Sequence, residues 1–147
     1  MITAMQTHHW EQLNQVMPMV RQEDTRGVVA LDDNGKLLGG IVCEDWTETM
    51  CSAHIVLIDG YKALKMGLHK ELANFVFTQA GKLKIMGLVP ADNEKALKLD
   101  KHLGFTELFR IENGYKPDVD YVVMELKREN CPYWAEVDYG QESSRAA

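Results

Sequence analysis

The chain has 147 residues, 46% of them hydrophobic and 26% charged, with a formal net charge of −6. That balance allows one domain with a sizeable core, and the acidic excess argues against a nucleic-acid or anionic-membrane binder, either of which needs a basic surface. Cys43, Cys51 and Cys131 are an odd number without paired metal spacing, which fits reduced thiols in a cytoplasmic protein; no apolar run is long enough to span a membrane, and the start lacks a secretion-signal pattern.

Ile2 to Gln6 reads as a short strand. His8 and His9 follow in a polar stretch, and the scattered histidines give no metal spacing. Trp10, Leu13, Val16 or Met17, and Val20 then recur at helical spacing, which Pro18 should kink or end. Val28–Leu31 and Leu37–Cys43 form a hairpin around Asp33-Asn34-Gly35, and Gly39 and Gly40 mark a bulge or a close backbone approach. Cys51–Asp59 is a nearly continuous apolar strand, the kind covered on both faces.

Leu64, Leu68, Leu72, Phe75 and Val76 make the stripe of one helix that Gly81 can end. The lysines at 62, 65, 70, 82 and 84 read equally as a solvated face or an anion site. A strand over 83–89 leads to a helix capped by Asp92 or Asn93 and stopped by Gly104. "FTELFRI" and "DYVVMELK" close the pattern as two strands. One domain is expected over residues 1–127. The tail 128–147 loses periodicity; Tyr133 and Trp134 are expected to pack on the domain or a partner, and the last residues to be disordered.

The order of elements, with Asn93, Ala96, Leu97 and then Leu103-Gly104-Phe105 along and after the last helix, resembles the GNAT family of N-acetyltransferases from about His54 to Leu126. The chain also looks like a small variant of that family encoded by phages or prophages. The resemblance implies an α/β (α+β) fold: a mixed, mostly antiparallel sheet with a central splayed parallel pair, flanked by helices. It implies acetyl-CoA as co-substrate, its pantetheine arm lying along Val56, Leu57 and Ile58 like an added strand, and its pyrophosphate at the start of the next helix. Only Gly67 matches the family's phosphate-loop pattern there; Leu64 and His69 replace its Arg or Gln and its second small residue. Lys62 and Lys65 could restore charge, with Leu68 and His69 beside them. Asn93 matches the family's cofactor-contacting Asn and equally suits a helix cap.

Direct acetyl transfer to an amine needs a neutral amine, a polarised carbonyl and a proton for the departing thiolate. The family often uses a Tyr seven residues after the Asn for the last task; here that residue is Asp100. Asp100 shares a helical stripe with Asn93 and Leu97, and reads as a solvated residue, a substrate contact or an acid with a burial-raised pKa. His54 is the first candidate base, against a packed sheet histidine, with Glu44 or Asp45 second. Trp46 and Glu48 extend an acidic loop that could wall an amine pocket. The expected acceptor is a small-molecule or peptide amine, with a homodimer a family habit. The alternative is a degenerate acetyltransferase-like binding or virion-associated module. A phage-encoded protein would work in the host cytoplasm.

Overall fold

The alternating and helical patterns resolve into one seven-stranded sheet with helices on both faces in this computed structural model, which describes residues 1–133. The strands are β1 Ile2–Ala4, β2 Arg26–Leu31, β3 Leu37–Glu44, β4 Met50–Leu57, β5 Lys84–Pro90, β6 Thr106–Lys116 and β7 Val119–Lys127. They lie in the order β1-β2-β3-β4-β5-β7-β6, and every neighbouring pair is antiparallel except β4 with β5. Trp134 and the rest of the expected tail lie outside the described residues.

Helix α1, Thr7–Val16, ends just before Pro18, as its ring requires. It seats Leu13 against Val29, Val42 and Val56 on one face of the sheet. The larger core lies on the other face. There Ile41, Cys43, Cys51, Ile85 and Met124 meet Leu68, Leu72 and Val76 of the helical layer, together with Leu103 and Phe105. Cys43 and Cys51 are both fully buried core thiols, and a hydrogen bond with Cys51, together with burial, pushes the Cys43 thiol pKa well up.

The expected single helix after β4 is broken. Helix α2 spans Lys62–Lys65, and Gly67 adopts φ 95°, the left-handed region open to glycine at little cost. The chain then restarts as α3, Leu68–Ala73, and runs on as a π-helical segment, Asn74–Gln79. The i, i+4 spacing of Leu64 and Leu68 survives the break, which is why periodicity alone hides it. Helix α4, Glu94–His102, is capped by Asn93, whose Oδ1 accepts from Ala96 N at 3.2 Å. Gly104 follows at φ 105°. β6 and β7 extend through most of the segment expected to be a loop, leaving a tight turn at Pro117 and Asp118.

Gly39 and Gly40 mark close approaches, one on each face. A β-carbon on Gly39 would stand 2.8 Å from the Val56 carbonyl oxygen and 3.0 Å from Ala63 of α2. One on Gly40 would meet Leu13 Cδ1 at 2.7 Å, a methyl that can turn aside. Gly39→Ala should therefore cost about 1–3 kcal/mol of unfolding free energy in urea titrations, and Gly40→Ala less. The reverse ranking would mean that α2 is not seated on β3 as described.

Candidate active site

The site is set by where two strands part. The parallel ladder of β4 and β5 holds at Met50–Lys84, Cys51–Ile85 and Ser52–Met86 and then stops. Beyond it β4 stays with β3 up to Leu57, and β5 stays with β7 up to Pro90. The gap between them is the expected splay.

Backbone alternation decides which groups face that gap. Ile58 N donates to Leu38 O at 3.0 Å, across to β3. In an antiparallel pair the residues bonded to a given neighbour alternate, so Val56, His54 and Ser52 also turn their backbone groups to β3. The Val56 carbonyl beside Gly39 agrees with this, as does the Ala53 carbonyl, which points to β5, 3.9 Å from the β-carbon position of Gly87. Ile55 and Leu57 thus present N–H and C=O groups to the gap with no strand opposite. Of the three residues expected along a cofactor arm, only Leu57 has this orientation, and Ile55 is the one the sequence reading missed.

A narrow slot of about 110 Å³ crosses the sheet at the fork, lined by Ala53, His54 and Ile55, by Gly87 to Pro90, and by Asn93, Ala96, Leu99 and Asp100. Side-chain alternation puts His54 on the α1 side and α4 with Asp100 on the other. His54 Nε2 lies 2.9 Å from Glu44 Oε1, with the two side chains 25% and 13% exposed. A Nε2–H donated to Glu44 leaves Nδ1 with the lone pair. Asp100 Oδ2 lies 3.8 Å from the β-carbon position of Gly87. Burial raises the Asp100 pKa to about 7, so the group is an acid that holds its proton up to neutrality.

The slot continues into a groove of about 400 Å³ bounded by Ile55, Leu57, Gly60, Tyr61, Asn93 and Leu99. The groove in turn meets a mouth of about 470 Å³ between α2 and α4, lined by Tyr61, Leu64, Lys65, Lys95, Lys98 and His102. The three spaces share residues end to end. The lysines of α4 at this mouth carried no signal in the sequence beyond ordinary helix-surface composition.

The other residues singled out from the sequence lie elsewhere. Leu68 is fully buried in the helix-side core. The His69 ring meets Tyr133 edge-on at 4.4 Å. Gly67 serves as the left-handed cap of α3, and Lys62 pairs with Asp59 at 2.9 Å. Trp46 packs edge-on against Phe75 at 5.7 Å, and its backbone N–H donates to Asp24. Asp45 sits exposed at φ 55°, and the Glu48 carbonyl accepts from Lys82. Among the described residues no cluster of three or more potential ligands could hold a metal ion, and no helix is long and apolar enough to cross a membrane.

No protein-family model matches the chain, and no curated protein matches it. Solved structures do. The spermidine/spermine N-acetyltransferase SpeG of Vibrio cholerae, in complex with manganese ions, superposes with a TM-score of 0.74 at 15% identity, over 88% of this chain and 92% of that one. A dodecameric structure of the Vibrio cholerae spermidine N-acetyltransferase gives 0.75 at 16% identity, over 88% and 94%. At this identity the likeness is one of fold: a mixed, mostly antiparallel sheet with one parallel pair, flanked by helices, as in the GNAT acetyltransferases.

The Asp100 environment has a measurable consequence. Between the unfolded-chain value of 3.8 and about 7, the native state keeps a proton that the unfolded chain releases, so this group makes stability fall as pH rises through that window. Above it the buried charge is carried in full. Asp100→Asn should be more stable than the parent by up to about 4 kcal/mol at pH 8, with the difference vanishing below pH 4. Urea titrations across pH check this; a pH-independent difference would place Asp100 in water.

Proposed function

We propose that the protein is an acetyl-CoA-dependent N-acetyltransferase that transfers the acetyl group directly to an amine. The observation that carries this reading is the continuous path from a basic mouth, along the unpaired edge of β4, to a slot with an acid on one side and a His–Glu pair on the other.

The residues present fit the donor. Lys65, Lys95, Lys98 and His102 offer basic side chains for the phosphates at the mouth, in place of a glycine loop. Ile55 and Leu57 offer backbone groups to a pantetheine arm as an added strand would. Asn93 lies at the groove edge while capping α4. Bound acetyl-CoA supplies an activated acetyl group as its thioester. The Ile55 N–H faces the gap where the carbonyl oxygen would gain charge. His54 takes a proton from the incoming amine, directly or through water, and Glu44 holds and charge-balances the ring. The C–N bond forms as the C–S bond breaks, and the protonated Asp100 returns a proton to the departing sulfur. Asp100 thereby fills the place of the family's Tyr by a raised pKa.

A cytoplasmic location and a single domain over residues 1–127 belong to the same reading, and a homodimer is consistent with it. A phage or prophage origin has no observation behind it. The second reading, an acetyltransferase-like binding module without catalysis, draws on one feature: Gly67, Leu68 and His69 serve the α3 start and its packing rather than a phosphate loop.

Calorimetry and thiol-release assays separate the two. The first reading expects acetyl-CoA to bind at sub-millimolar concentration and Lys98→Glu to weaken it at least fivefold. It expects Asp100→Asn and His54→Gln each to lower kcat about 10²-fold or more, with donor affinity changed less than threefold. The parent kcat/KM should decline as pH rises through about 7, the Asp100 pKa of the ligand-free protein. Binding without release of thiol to any amine would favour the module; absence of binding would sink the first reading.

A further inference from the structure

On the α1 side the slot is bordered by Met17, just after α1, and by Leu88 and Pro90 of β5. Helix α1 packs over β2, β3 and β4. Across β5, β7 and β6, alternation and register bring Leu88, Val123 and Phe109 into one row and Pro90, Tyr121 and Ile111 into the next. Leu88 is 43% exposed, Phe109 57% and Ile111 41%, while Val123 between the first two is buried. The result is an apolar shelf with Val123 as its floor. Leu88 and Pro90 belong both to the shelf and to the wall of the slot, so the two are continuous.

Charge and size limit what the shelf suits. The acids beside it are committed: Glu44 to His54, and buried Glu125 to Lys84 at 2.8 Å. Each already holds a partner, so neither stands as an unpaired acid on the shelf. A row of three strands spans about 10 Å, and Leu88 to Pro90 about 7 Å. A stable protein interface needs about 800 Å² per partner. The shelf therefore matches a ring or branched chain better than a second copy. Register breaks beside Glu107 and Ile111, and Asn113 at φ 52°, also make β6 an irregular strand, a feature that disfavours edge-to-edge pairing.

Resting on the transfer reading above, we infer that the acceptor is a small monoamine: a primary amine on a short carbon arm that enters the slot, carrying an apolar, aromatic-sized body that lies on Leu88, Phe109 and Ile111. Polyamines are poor acceptors, because their second charge meets apolar side chains.

The test compares 2-phenylethylamine, ethylamine and spermidine as acceptors, with acetyl-CoA binding measured separately. The expected result is a kcat/KM for 2-phenylethylamine at least tenfold above both others. Phe109→Ser and Ile111→Ser, both at exposed positions, should each raise its KM fivefold or more with little change in kcat. The preference over ethylamine should shrink accordingly. Spermidine equal to or better than 2-phenylethylamine would overturn the acceptor assignment and leave acetyl transfer standing. No thiol release with any of the three, or no acetyl-CoA binding, would remove the transfer reading and the acceptor with it. A parent dimer in sedimentation that Phe109→Ser dissociates would assign the shelf to a second copy and also overturn the inference.

Discussion

The candidate site depends on one structural constraint: the β4–β5 ladder ends after Ser52–Met86 while each strand remains bound to its outer neighbour. The bonds of β3 hold β4 on one course, and those of β7 hold β5 on another. The gap exposes backbone groups that a sheet interior would normally pair. It also creates the partly desolvated fork where the Asp100 carboxyl lies close to Gly87. Desolvation raises the pKa of that carboxyl. Splay, free strand edge and perturbed acid are therefore one feature seen at three scales.

The elements are well matched to this task. Gly39 lets α2 settle on β3, which brings Tyr61, Leu64 and Lys65 to the groove. Gly67 ends that short helix and starts the next in a direction that buries Leu68 and Leu72. The cost is the phosphate loop expected at this point, and the basic side chains of α4 stand across the mouth from α2. The proposed chemistry follows the two sides of the sheet, with the base and acceptor on the α1 side and the acid on the α4 side.

Much of this was legible in the sequence. Asp33-Asn34-Gly35 marked the first hairpin, and Asn93 with Gly104 bounded α4, because turn and cap chemistry is local. Spacing puts Asp100 on one helical stripe with Asn93 and Leu97, and the family resemblance, not spacing, turns that stripe toward the cleft; the sequence leaves a solvated Asp100 equally open. What was not legible depends on register or on distant packing. The 2.9 Å contact of His54 with Glu44 needs the β3–β4 register. The choice of Ile55 over Val56 needs the parity of the hydrogen bonds. Trp46 read as a pocket wall because it follows a candidate acid, yet Phe75, far along the chain, holds it on the helix side. The exposure of Phe109 and Ile111 is set by how far α1 reaches across the sheet.

The most direct measurement is residue-resolved amide hydrogen exchange with and without acetyl-CoA. If the donor lies along the free edge of β4, the Ile55 and Leu57 amides should exchange at least tenfold more slowly when it is bound, while Val56, already turned to β3, should change little. Protection confined to α2 and α3, with Ile55 and Leu57 unaffected at saturating ligand, would contradict the account.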